Sequence, residues 1–217
     1  MTRVFKNFEA DTGKILNIVI NSLYSDREIF LRELLSNASD AIQKRRYLGQ
    51  MEPALLNGGE DRITLRLNAK KKILEIEDTG IGLSETELEE TLGTLAKSGT
   101  ESFLKELESA QEDKDAARSL IGKFGVGFYS AFMVAEKVEV LTKRAGTDGG
   151  FLWTSDGQSG YEIESSSEPL ETGTRIRLHL KKDAKEFSED ARVKTIVKKY
   201  SDHISVGIDF AAEDGTS

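Results

Sequence analysis

The chain has 217 residues, 38% of them hydrophobic, with two histidines and no cysteine, which excludes a disulfide framework, a thiolate metal site and a cysteine nucleophile. With 38 acidic against 30 basic residues the net charge is -8, so no whole-protein attraction to nucleic acid or to an anionic membrane is expected. A mean hydropathy of -0.40 suits one soluble domain with a sizeable core, and no signal peptide or spanning apolar run is legible, which favours a cytoplasmic location.

In chain order, a short extended start at 3–8 precedes apolar residues at Ile15, Leu16, Ile18, Val19, Ile20 and Leu23, a helical spacing that Asp11 or Thr12 can cap. Ser25 or Asp26 then caps a long helix running to about Leu48. Pro53 and the pair Gly58-Gly59 mark a turn-rich connection, and two alternating runs, "ITLRLNA" and "KILEIED", read as a strand pair. Residues 84–135 read as helical with glycine interruptions, and the charged run "ESAQEDKDAAR" as a solvated face or loop. "KVEVLTK", "GFLWTS", "GYEIESS" and "GTRIRLHL" follow as strands of an antiparallel meander. A helix at about 189–204 and the strand "VGIDF" close the series. This order predicts an α+β fold, a two-layer sandwich of a mostly antiparallel or mixed sheet with helices on one face, in a single domain. The end "AAEDGTS" directly after a strand predicts a fragment of a longer chain.

Three stretches carry candidate chemistry. On the long helix, Glu33, Asn37, Asp40 and Lys44 form one polar stripe at i, i+4, i+7 and i+11. Phe30, Leu31, Leu34, Leu35, Ala38, Ala41 and Ile42 cover the adjacent arc, and Arg32, Ser36, Ser39 and Gln43 the opposite one. In "ILEIEDTGIGL" a strand delivers Asp78 to its C-terminal end, and Gly80 and Gly82 permit close ligand approach; alone, this is also an ordinary Asp-x-Gly turn. In "IGKFGVGFYSAF" a glycine-rich loop opens a helix, a nest of N–H groups suited to phosphate, although neither the P-loop nor the dinucleotide fingerprint is matched. "DTG" occurs at both Asp11 and Asp78, but Asp11 opens a helix, which disfavours an aspartic protease. His179 and His203 receive no role.

The three together, in that order, resemble the ATP-binding domain of DNA gyrase, histidine kinases, mismatch-repair ATPases and ninety-kilodalton heat-shock chaperones. "YSDREIFLRELLSNASDA", "DTGIGL", "LGTLAKSGT" and "GKFGVGFYSAF" resemble most closely the N-terminal domain of the ninety-kilodalton heat-shock family in its bacterial HtpG type. The resemblance covers essentially the whole chain and implies a Bergerat-type fold binding ATP or ADP with Mg²⁺. It implies Glu33 as general base with Arg32 beside it, and Asn37 as the Mg²⁺ ligand. It places Asp78 on the adenine amino group, with Gly82, Leu83, Thr174 and Asp40 around it. Gly122, Lys123, Phe124, Gly125, Val126, Gly127 and Phe128 would hold the phosphates, and Lys97 would reach ribose or phosphate from a lid at about 93–125. Thr91 stands where eukaryotic relatives often carry a ribose-contacting Asn, and Leu83 where a methionine often meets adenine.

The same resemblance implies client proteins and a homodimer for the full-length chaperone, with a catalytic arginine and the dimer contact in domains outside this chain. Feeble hydrolysis and a monomer are therefore expected here. A histidine kinase or topoisomerase, and a binding module without turnover, are the competing readings.

Overall fold

The computed structural model describes residues 4–6, 27–56, 60–93, 127–200 and 204–211. The helix expected near 15–23, its capping residues, the second Asp-Thr-Gly at Asp11, the charged run at 108–118 and His203 lie outside the described residues.

The strands are β1 (Val4–Lys6), β2 (Arg62–Asn68), β3 (Ile73–Asp78), β4 (Ala135–Lys143), β5 (Gly150–Ser155), β6 (Tyr161–Ser166), β7 (Gly173–Leu180) and β8 (Gly207–Ala211). Among the described residues the helices are α1 (Ile29–Gly49), α2 (Glu85–Leu92) and α3 (Asp190–Tyr200), and 3-10 segments span Pro53–Leu56, Gly127–Met133 and Lys182–Ser188. One sheet runs in the order β1-β6-β5-β4-β7-β3-β2-β8. It is mixed, because β8 pairs parallel with β2 while the other pairs are antiparallel.

Period-two alternation divides the strands between two faces. Leu74, Ile76, Val138, Val140, Ile176 and Leu178 point inward, where Phe30, Leu34 and Ile42 of α1 and Phe187 and Val193 join them in one core. On the outer face Glu77 meets Arg175 at 2.8 Å and Arg66, Glu75 meets Arg177 at 2.5 Å, and Glu139 gathers Lys137, Arg177 and His179. Half-exposed pairs of this kind stabilise little individually. Their effect is to keep the second face polar, so the described helices cover the other face, as the α+β reading expects.

Four expectations need correction. β4, β5 and β6 form a meander, but β7 leaves it: the 167–172 connection carries the chain back to insert β7 between β4 and β3. β7 is apolar on its inner positions and arginine-rich on the outer ones, so it satisfies both faces of a central strand. The long helix begins at Ile29 after Glu28, which makes no side-chain cap. Glu28 instead accepts from Lys199 at 2.8 Å and pairs with Arg192 at 2.8 Å, tying α1 to α3. Ser39, assigned by helical periodicity to the arc opposite the core, is buried at 4% exposure, because α1 is packed on more than one side. The helix expected after the glycine-rich loop is a 3-10 segment through Met133, with the Ser130 hydroxyl donating to the Gly127 carbonyl at 2.5 Å.

Candidate functional site

The turn after β3 is built against α1. The Ile81 N–H donates to the Ala41 carbonyl at 3.1 Å, and a Cβ on Gly80 would lie 2.6 Å from both the Ala41 Cβ and the Asp78 Oδ1. Gly82 has φ +67°, and a Cβ there would overlap the Lys143 carbonyl oxygen. These two positions need glycine, which is why the "DTGIG" stretch has that form. From Gly82 the chain enters α2 through a capping box between Ser84 and Glu87.

Between α1, this turn and the inner face of β3, β4 and β7 lies a cleft of about 360 Å³. Asn37, Asp40 and Lys44 line one wall, Asp78 and Thr174 the floor, and Ile76, Ile81, Val140, Ile176, Leu92 and Phe128 supply apolar surface. Gly82, Leu83 and Thr91 complete the rim. The predicted stripe is thus brought to the cleft at three of its four positions, with Asn37 and Asp40 exposed to it. Asp40 lines the same cleft as Asp78 and Thr174.

Glu33, the fourth stripe residue, is 9% exposed and lies one turn before Asn37. Arg32 donates to its Oε1 through Nη2 at 2.6 Å and Nε at 3.1 Å. On the other side Gly127 lies so near that a Cβ would stand 2.6 Å from Oε2. The helix, the arginine and the start of the 3-10 segment therefore hold this carboxylate in one orientation. Phe128 turns its ring edge-on to Trp153 at 5.6 Å and into the cleft wall. Lys97, Gly122, Lys123, Phe124, Gly125 and Val126 lie outside the described residues, as does the expected lid beyond Gly93.

Asp78 is 6% exposed, and its Oδ1 accepts from the Gly80 N–H at 2.8 Å. Burial pushes the carboxyl up to about 7, while main-chain hydrogen bonds from Gly80 and Thr174 act against that rise. The carboxyl group is thus buried, oriented by the turn and part of the cleft lining.

Sequence reading missed Thr142. It is fully buried, accepts from the Leu83 N–H at 2.9 Å, and lies 3.0 Å from both the Gly173 carbonyl and the Thr174 hydroxyl. The signal was a threonine at an inward position, after Val138 and Val140, where an aliphatic residue would be expected. Arg45 was missed as well: it is buried at 2% exposure and pairs with Asp61 at 2.6 Å.

Residues 24–186 match the model of the family described as histidine kinase-, DNA gyrase B- and HSP90-like ATPases. The chain, with its mixed sheet, one-sided helices and cleft under α1, belongs to this ATPase family. Within it, the sequence is similar to the chaperone protein HtpG of Rhodospirillum rubrum, 51% identical over 210 residues that cover 96% of this chain and 33% of that protein. HtpG of Roseobacter denitrificans is 53% identical over 200 residues, 92% of this chain and 32% of that protein. HtpG of Rickettsia canadensis is 49% identical over 218 residues, 100% of this chain and 34% of that protein. The resemblance to an HtpG-type ATPase domain that the motifs carry holds at this level, and the chain spans about a third of the length of the curated relatives it matches. No helix among the described residues is long and apolar enough to cross a membrane.

Proposed function

We propose that this chain is the ATP-binding and hydrolysing domain of a molecular chaperone, taking Mg²⁺-ATP and releasing ADP and phosphate. The observation that carries the reading is the pairing of Asp78, buried on the cleft floor beside Thr174, with the Asn37 and Glu33 positions of α1. Asp78 accepts from the exocyclic amine of adenine. Guanine would set a carbonyl against it, and two acceptors facing each other in a dry site discriminate strongly. Gly82 and Leu83 close on the base, Leu83 by apolar contact.

Among the described residues no group of three or more His, Asp or Glu could hold a metal. The donor available is the neutral amide of Asn37, exposed on the cleft wall. That suits Mg²⁺, which takes few protein ligands and completes its shell with phosphate oxygens and water. When bound, the ion neutralises phosphate charge. Glu33 then acts as general base on the attacking water, and Arg32 fixes its orientation. The glycine-rich segment at 122–128 holds the phosphates, and Lys97 reaches ribose or phosphate from the lid at 93–125. In the full-length chaperone, lid closure and clamping of a homodimer would be coupled to client proteins, in the cytoplasm.

Calorimetric titration of Mg²⁺-ADP and Mg²⁺-GDP into the chain and into Asp78→Asn tests the site. One-to-one binding of ADP, none of GDP, and loss of ADP binding in the variant is the expected result. Equal binding of both nucleotides, or an unaffected variant, removes Asp78 from adenine recognition; no binding by the parent chain removes the nucleotide site.

A further inference from the structure

The buried hydroxyl of Thr142 makes three polar contacts with a single hydrogen to donate, and this constrains what the cleft floor offers a ligand. The Leu83 main-chain N–H, 2.9 Å away, can only donate, so Thr142 Oγ1 accepts from it. The Gly173 carbonyl, 3.0 Å away, can only accept, so the Thr142 hydrogen goes there. The third contact, Thr174 Oγ1 at 3.0 Å, is then left one role, that of donor to Thr142. A threonine hydroxyl whose hydrogen is engaged behind it has only lone pairs for the cleft. Thr174 lines that cleft together with Asp78, to which it is paired in register across β3 and β7.

We propose that Thr142 is a positioning residue that sets hydrogen-bond polarity at the base end of the cleft, making Thr174 an acceptor beside the acceptor Asp78. The inference rests on the nucleotide reading above and deepens it. Two adjacent acceptors fit a base edge that presents an amine with two hydrogens, directly or through one water. They reject a base with a carbonyl at the same place. The same hydroxyl holds the Leu83 N–H, so it also fixes the rim where the turn passes into α2. Thr142 touches no ligand itself: it lies behind Thr174, is fully buried, and is absent from the cleft wall.

The test compares Mg²⁺-ADP with Mg²⁺-inosine diphosphate, which replaces the amine by a carbonyl and turns the neighbouring N1 from an acceptor into an N–H donor, reversing the polarity of that edge. Titrations use the parent chain, Thr142→Val, Thr142→Ser and Asp78→Asn. Thr142→Val keeps the shape and removes the hydroxyl; it should lower ADP affinity by about tenfold and reduce the preference for ADP over inosine diphosphate by a similar factor. Thr142→Ser restores the hydroxyl and should bring both back to within about threefold of the parent. Should Thr142→Val weaken both nucleotides equally, or should serine fail to rescue the preference, the residue is structural and the proposal falls.

An unaffected Thr142→Val alongside a non-binding Asp78→Asn sinks this proposal and leaves the nucleotide site standing. A parent chain that binds neither nucleotide sinks both. If the valine variant does not fold, the hydroxyl protons of the unliganded parent decide by nuclear Overhauser contacts. The Thr174 proton against Thr142 supports the polarity, and a Thr174 proton directed into the cleft overturns it.

Discussion

On the proposed reading Asp78 combines adenine recognition with a cost in stability. Its ordinary value is 3.8 and the folded value about 7, raised by burial. Below about pH 4 the folded and unfolded chains both hold the proton and the site costs nothing. As pH rises toward 7 the unfolded chain ionises while the folded one resists, so stability falls; above 7 the loss is constant. Three pKa units correspond to about 4 kcal/mol. Asp78→Asn, neutral at every pH, should therefore melt higher than the parent at pH 8 and no higher at pH 4, although it no longer binds ADP. Matching melting curves at both pH values would show that the carboxyl is not strained by burial. Bound adenine favours the ionised form, so ADP affinity should rise as pH increases through 7, with proton release visible as a buffer-dependent binding enthalpy.

At the scale of elements, the β3 turn is where local backbone and global fold depend on each other. Gly82→Ala must place a Cβ at φ +67° and against the Lys143 carbonyl. The left-handed conformation alone costs about 1–2 kcal/mol, and relief of the overlap must open the contact between the turn and β4 that carries Leu83 to Thr142. Lower thermal stability together with lost ADP binding is expected; a variant matching the parent in both would mean the turn is free to rearrange. This turn was legible in the sequence because glycine requirements are local, as was the stripe of Asn37, Asp40 and Lys44, because helical spacing is local. The insertion of β7 between β4 and β3 was not, since pairing depends on which strands a chain reaches after a six-residue connection. Thr142 escaped for the same reason: its partners Leu83 and Thr174 are 59 and 32 residues away. Ser39 was misjudged, and Arg45 missed, because periodicity assigns one buried face to a helix, and α1 has neighbours on several.

For the molecule as a whole, the question is how much of the proposed hydrolysis this chain supports alone. Phosphoryl transfer needs cations aimed at charge that develops in the transition state. Among the described residues, Arg32 spends Nε and Nη2 on Glu33 Oε1, an arrangement that orients the proposed base and engages two of the guanidinium nitrogens. Lys44 is the cation on the cleft wall, but it follows Glu33 by eleven residues, about 16 Å along the helix axis. Lys97 and Lys123 lie outside the described residues, and the resemblance to the heat-shock ATPases places the catalytic arginine in another domain; on that basis we propose that this chain binds nucleotide better than it turns it over. Phosphate release by this chain should thus fall on the order of a thousandfold below that of a full-length HtpG-type protein, the scale attributed to a supplied arginine. Glu33→Ala should abolish the residual rate and leave ADP binding within about threefold. Equal rates for the short and long chains would show that the catalytic constellation is complete within these residues. Among the described residues the exposed large apolar side chains are Phe5 on β1 and Tyr47, Met51 and Leu56 near the end of α1, and the resemblance places the stable dimer contact in another domain. Sedimentation should accordingly find a monomer with and without ADP, and a tight dimer of this chain would place part of the dimer contact within it.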